Sequence, residues 1–145
     1  MSPLAEAPSE TPELISWDED TMSTARPEID AQHRELIAKI NELHRIHQAG
    51  ATVDDIKAVL RWLGDYARRH FSFEEGLMEK FKCPMRTANC AAHARFLMEY
   101  QELLANFTME QDVDQTAGEI KRKAARWLVA HICQVDRSLR EIVQS

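Results

Sequence analysis

His70 and Glu74 stand four residues apart, about one helical turn, in a stretch whose apolar residues recur at helical spacing. Three further stretches of the same kind carry His33, Asn89 with His93, and His131 with Asp136 on their own apolar seams. Imidazoles and carboxylates are costly to bury unless hydrogen bonds or a cation compensate them. One buried histidine is ordinarily a hydrogen-bonded core residue, and one carboxylate can be neutralised by Arg or Lys. Four histidines and two carboxylates without Arg or Lys on the neighbouring seam positions point instead to a metal centre. Imidazole and carboxylate donors without thiolate suit iron, manganese or zinc. Two carboxylates able to bridge, with imidazoles from four segments, favour two ions over one, and open positions facing a dry interior would take a small diatomic ligand.

The elements that must bring these groups together read as helices. Three of the five prolines (Pro3, Pro8, Pro12) lie at the start, and after Pro27 only Pro84 remains. Such long stretches without breakers favour helices over strands. Asp30 reads as the N-cap of a first helix, Ala31 to about Gln48, with the seam His33, Leu36, Ile37, Ile40, Leu43, His44, His47, ended by Gly50. Thr52 and Asp55 resemble a capping box opening a second helix to about Lys82. Its seam runs Ile56, Val59, Leu60, Leu63, Tyr66, Ala67, His70, Phe73, Glu74, Leu77, Phe81, and close packing would explain Gly64 and Gly76 within it. Cys83-Pro84 separates a third helix, about Met85 to Phe107, and the fourth spans about Gln115 to Val143. Four amphipathic helices with short connections predict an all-α, up-down-up-down four-helix bundle over residues 31–145. Residues 1–13, rich in Pro, Ser, Ala and Glu, read as a disordered tail. Residues 14–30 read as an extended arm packed through Ile15, Trp17 and Met22.

Helical rise converts sequence position into height. His33 lies near the start of the first helix, His70 and Glu74 near the end of the second, Asn89 and His93 near the start of the third, and His131 and Asp136 late in the fourth. With alternating direction these are all one end of the bundle. His44 and His47 fall roughly 16 to 21 Å away and read as end-of-helix groups, while Glu75 reads as solvated.

The net charge of −6 and the short basic runs, Arg68-Arg69 and Lys121 to Lys123, read as solvated helix faces, so no nucleic-acid partner is expected. No segment has the length of a membrane span, and the N-terminus lacks the pattern of a secretory signal. Membrane association is therefore not expected, and a cytoplasmic setting is. Cys83, Cys90 and Cys133, odd in number and without CxxC spacing, read as reduced thiols, and Cys90 and Cys133, near the site in sequence, as buried and inert ones.

The motifs I-D-A-Q-H at Ile29 to His33, H-F-S-F-E-E-G-L-M at His70 to Met78, A-A-H-A-R-F-L around His93, and H-x4-D at His131 and Asp136 resemble those of the hemerythrin family, specifically its single-domain bacterial members. The resemblance covers about Trp17 to Val143. It implies two non-haem iron ions bridged by Glu74, Asp136 and a solvent-derived oxygen. By the same resemblance His33 and His70 hold the iron that binds O2, His93 and His131 hold the other, and Trp127 and Leu128 wall the ligand pocket. One departure stands out: where the family usually has a further histidine, this chain has Asn89, a weaker donor or a residue behind the ligands.

The implied function is binding of O2 or another small diatomic, as carrier, store or sensor. The competing class is an enzyme, a di-iron peroxidase or oxidase or a nitric oxide-reactive protein made more accessible by Asn89. No Glu-x-x-His pair of the ferritin-like enzymes occurs, and the seam has no spare general acid or base. A binding protein is therefore the expectation, with peroxidase-like chemistry as a side activity. A third class, a bundle using metal only for folding or a signalling input module, would act through a protein partner that nothing in the charge pattern identifies.

Overall fold

The computed structural model describes residues 13–107 and, for the backbone, 113–143; within the latter stretch it describes the side chains of 114–134, 139 and 140. A single-turn helix α1 (Glu19–Met22) precedes four long ones: α2 (Pro27–Gln48), α3 (Val53–Lys80), α4 (Arg86–Asn106) and α5 (Val113–Val143). No strand occurs among the described residues. Helix α2 packs on α3 and α5, and α3 packs on α4. Two of these pairs are sequential neighbours joined by short connections, and the packing of α5 on α2 brings the last helix back to the first, giving the helical bundle that the sequence predicts. Of the proposed tail, residues 1–13, all but Glu13 lie outside the described residues.

The caps explain where the helices begin. Thr52 Oγ1 accepts from the Asp55 backbone N–H and the Asp55 carboxylate accepts from that of Thr52, the predicted capping box. Gly50 takes a φ of +83°, where a side chain would be strained, and ends the run out of α2. The start of α2 differs from expectation. The helix begins at Pro27, whose fixed φ and missing N–H suit a first helical position. Asp30 is thus inside the first turn, where its buried carboxylate accepts from Ser23 Oγ, Thr24 N and Thr24 Oγ1 at 2.8 to 2.9 Å. It fastens the preceding turn to the bundle instead of capping its own helix.

The arm is tied down chiefly by Asn41. Its Oδ1 accepts from the N–H groups of Leu14 and Ile15, and its Nδ2 donates to Ile15 O at 2.8 Å. Ile15 and Met22 are buried in the core, and the Arg34 guanidinium stacks over the half-buried Trp17 at 4.4 Å. None of the described helices is long and apolar enough to cross a membrane.

Two seam positions on α3 are corrected. Phe73 and Phe81 are 41% and 37% exposed, whereas Phe71 and Met78 are buried. Counting four residues at a time keeps His70, Glu74 and Met78 on one stripe, with Phe71 beside it. Gly64 is explained by packing, since a Cβ there would lie 2.6 Å from Tyr100 Cε1, but at Gly76 a Cβ meets nothing within 4 Å. Gly64→Ala is therefore expected to destabilise the protein by about 1 to 3 kcal/mol through overpacking. Gly76→Ala should stabilise it by up to about 1 kcal/mol. Denaturant melts of the two variants would show opposite shifts in midpoint.

Candidate metal centre

Glu74 occupies the middle of the bundle end where α2, α3, α4 and α5 converge, and it is fully buried. Its two oxygens face different pairs of imidazoles. Oε2 lies 3.1 Å from His70 Nε2 and 3.5 Å from His33 Nε2. Oε1 lies 3.1 Å from His93 Nε2 and 3.3 Å from His131 Nε2. The rings pair in the same way, with centroids 4.7 Å apart for His33 and His70 and 4.8 Å for His93 and His131. All four histidines are buried, and the donor atoms of His33, His70, Glu74 and His131 lie within 4.8 Å of one another. Asn89 Nδ2 donates to Oε1 at 2.9 Å and approaches Met78 Sδ at 3.3 Å. Asp136 lies on α5, five residues after His131, and its side chain is outside the described ones.

The far sides of two rings fix the polarity of the near sides. His70 Nδ1 lies 2.8 Å from Gln32 Oε1, and His93 Nδ1 lies 2.7 Å from Glu75 Oε2. Both partners are acceptors, so each Nδ1 carries the proton and each neutral ring turns the lone pair of Nε2 toward Glu74. Lone pairs aimed at carboxylate oxygens about 3 Å away repel unless a cation lies among them. Despite the short distances, the Nε2 atoms of His33, His70, His93 and His131 and the Oε2 of Glu74 have no hydrogen bond of acceptable geometry. They are buried donor atoms arranged for a cation.

Electrostatics agree with this picture. Burial drives the His33 imidazole down to about 4, with Glu74 offsetting only part of the effect. Burial also lowers His131, again against the pull of Glu74. Both rings are therefore neutral at pH 7. Burial pushes the Glu74 carboxyl up, while imidazoles presenting a proton to it, His131 foremost, would hold it well below the usual carboxylate range. An anion beside two neutral imidazoles, His33 and His131, calls for positive charge, which protons or metal ions could supply.

The segment containing residues 24–142 matches the model of the hemerythrin HHE cation binding domain. The chain belongs to the hemerythrin family. It is 30% identical over 132 residues to a bacteriohemerythrin of Stenotrophomonas maltophilia, covering 91% of this chain and 83% of that one. It is 34% identical over 118 residues to a bacteriohemerythrin of Pseudomonas aeruginosa, covering 81% and 74% respectively. A Campylobacter jejuni bacteriohemerythrin is 28% identical over 90 residues, or 62% of this chain and 68% of that one. In this hemerythrin-family chain the buried His/Glu cluster is a group of donors that could hold a metal ion.

Several neighbours of the cluster were not read from the sequence. Gln32 and Glu75 back His70 and His93, and Glu75 is half-buried rather than solvated. An imidazole that gives one nitrogen to a metal needs an acceptor for the other, so acceptors flanking the seam were the place to look. Phe71 stacks on His93 with centroids 3.9 Å apart, and Trp127 stacks on His131 at 4.8 Å. Both rings, with Leu128, Ala67 and Leu36, line an almost wholly apolar cavity of about 30 Å³. Of the thiols, Cys83 is buried, but Cys90 and Cys133 are half-buried and so depart from expectation.

The remaining histidines form a second polar cluster. His44 Nδ1 and His47 Nδ1 lie 2.9 and 2.7 Å from Nζ of Lys121, a buried residue read from sequence as solvated. The correction has a simple cause: Lys121 faces α2, and the two imidazole acceptors compensate its ammonium. His47 Nε2 in turn meets the backbone O and Oδ1 of Asp114 at 2.9 and 3.0 Å.

Proposed function

We propose that this chain binds O2 at two iron ions held in the bundle, as a carrier, store or sensor. His33 and His70 would hold one ion and His93 and His131 the other. Glu74 and Asp136 would bridge them together with a solvent-derived oxygen. The observation that carries the reading is the division of Glu74, one oxygen toward each imidazole pair. A carboxylate placed in this way suits a bridge between two ions better than a ligand of one. Bound iron would supply the electrons that make O2 binding reversible.

The chain's own residues do the rest. Gln32 and Glu75 hold two imidazoles in the tautomer that offers Nε2. Phe71 and Trp127 lie against His93 and His131 and, with Leu128, present an apolar wall. Such a wall accommodates a small uncharged ligand. The adjoining cavity of about 30 Å³ suits a guest the size of a diatomic molecule. The competing reading, a peroxidase or nitric oxide-reactive protein, draws on Asn89, which puts an amide beside Glu74 in place of a further imidazole.

The test is metal analysis together with visible spectra of the iron-loaded protein, reduced without oxygen, then aerated, then exposed to peroxide with a reductant. Two irons per chain and an oxygenated spectrum that reverses on removing O2 are expected. Sustained peroxide turnover without a reversible oxygenated species would replace this reading with the enzymatic one. Absence of bound iron would end both.

A further inference from the structure

We propose that Asn89 is a positioning residue that holds Glu74 Oε1 through its amide N–H, and that the metal position beside His93 and His131 is thereby left open to a small anion. The inference rests on the two-ion reading above and adds a second ligand-binding position to it.

The orientation of the amide follows from what surrounds it. Nδ2 lies 2.9 Å from a carboxylate oxygen and 3.3 Å from a thioether sulfur, and both accept hydrogen bonds without donating. Turning the amide over would set Oδ1 against two acceptors. Asn89 is 2% exposed, so water offers its NH2 group no alternative. An amide nitrogen has no lone pair to give a metal, because that pair is delocalised into the carbonyl. The residue at this position is thus a donor of hydrogen bonds, not a ligand.

Among the described residues the two halves of the site are then equal in protein donors. One half has His33, His70 and Oε2, and the other has His93, His131 and Oε1. Two imidazoles and one carboxylate oxygen form a set that leaves positions open on iron. On the two-ion reading Asp136 and a shared solvent oxygen would bridge the ions and so would add to both halves alike. Each ion therefore retains an open position. Asn89 also restrains Oε1 in the orientation that faces the His93 and His131 pair, and such supporting hydrogen bonds are worth about 10- to 100-fold in metal affinity.

The experiment uses azide as the probe on the full chain loaded with ferric iron, with iron per chain measured first. Calorimetry and the visible charge-transfer band give the number of azides bound. The parent is expected to take two azides per iron pair, and Asn89→His, which adds an imidazole donor, one. Asn89→Leu should still take two azides while its iron affinity, measured by chelator competition, falls about 10- to 100-fold. One azide per pair in the parent, or two in Asn89→His, would overturn this inference and leave the two-ion reading intact. A parent holding no more than one iron per chain would overturn both.

Discussion

Stripping metal from the loaded protein at neutral pH is expected to lower its melting midpoint by roughly 10 °C. An ion present at a thousand times its Kd stabilises the fold that binds it by about 4 kcal/mol, and a chain of this size shifts by about 2 to 4 °C per kcal/mol. The physical source is Glu74. It is a fully buried carboxylate with Nε2 lone pairs facing it, and without cations those groups repel. Glu74→Gln keeps the shape, removes the charge and supplies an N–H in place of one oxygen. The variant should bind iron poorly, and its melting midpoint should not respond to chelator. An equal chelator response in parent and variant would mean that the stabilising ion sits elsewhere.

The parts of this site legible in the sequence share one property, burial of a group that dislikes burial. His33, His70, Glu74, His93 and His131 could be found because each interrupts an apolar stripe, and helical rise then put them at one height. The bundle followed from the same stripes. What was not legible depends on rotation about the helix axis and on side-chain reach. Glu75 follows Glu74 by about 100° around α3, which read as solvent, yet its length lets it return to His93 at 2.7 Å. Lys121 belongs to a basic run in the sequence, but its rotation aims it at α2, where His44 and His47 accept from it. Phe71 and Phe73 differ by two residues, about 200° around the helix, and the four-residue stripe His70, Glu74, Met78 buries Phe71 beside it and leaves Phe73 exposed. Asp30 has the residue type of a cap, and only the position of Pro27 shows that the helix has already begun.

Without metal the protein is expected to lose stability steeply as pH falls from about 6.5, the ordinary imidazole value. His33 titrates near 6.5 when unfolded and at about 4 when folded. Through that window the unfolded chain takes up a proton that the folded chain refuses, so stability falls with pH. At about 1.4 kcal/mol per unit, His33 alone accounts for about 3 kcal/mol. His131, lowered by burial, acts in the same direction. At the other end of the bundle burial, Lys121 and His47 lower His44, which adds to the acid loss. Lys121 is itself lowered by burial and by Arg122, against the pull of Asp114, so its contribution rises with pH on the alkaline side, up to its unfolded value of 10.5. The two ends can be separated by experiment. Metal competes with protons for Nε2 of His33 and His131, so loading should move the acid loss to lower pH. Lys121→Met removes the cation facing His44, so it should flatten the alkaline rise and soften the acid loss whether or not metal is bound. A metal-free melting midpoint that stays level between pH 7 and about 5 would contradict the burial of neutral imidazoles on which the window depends.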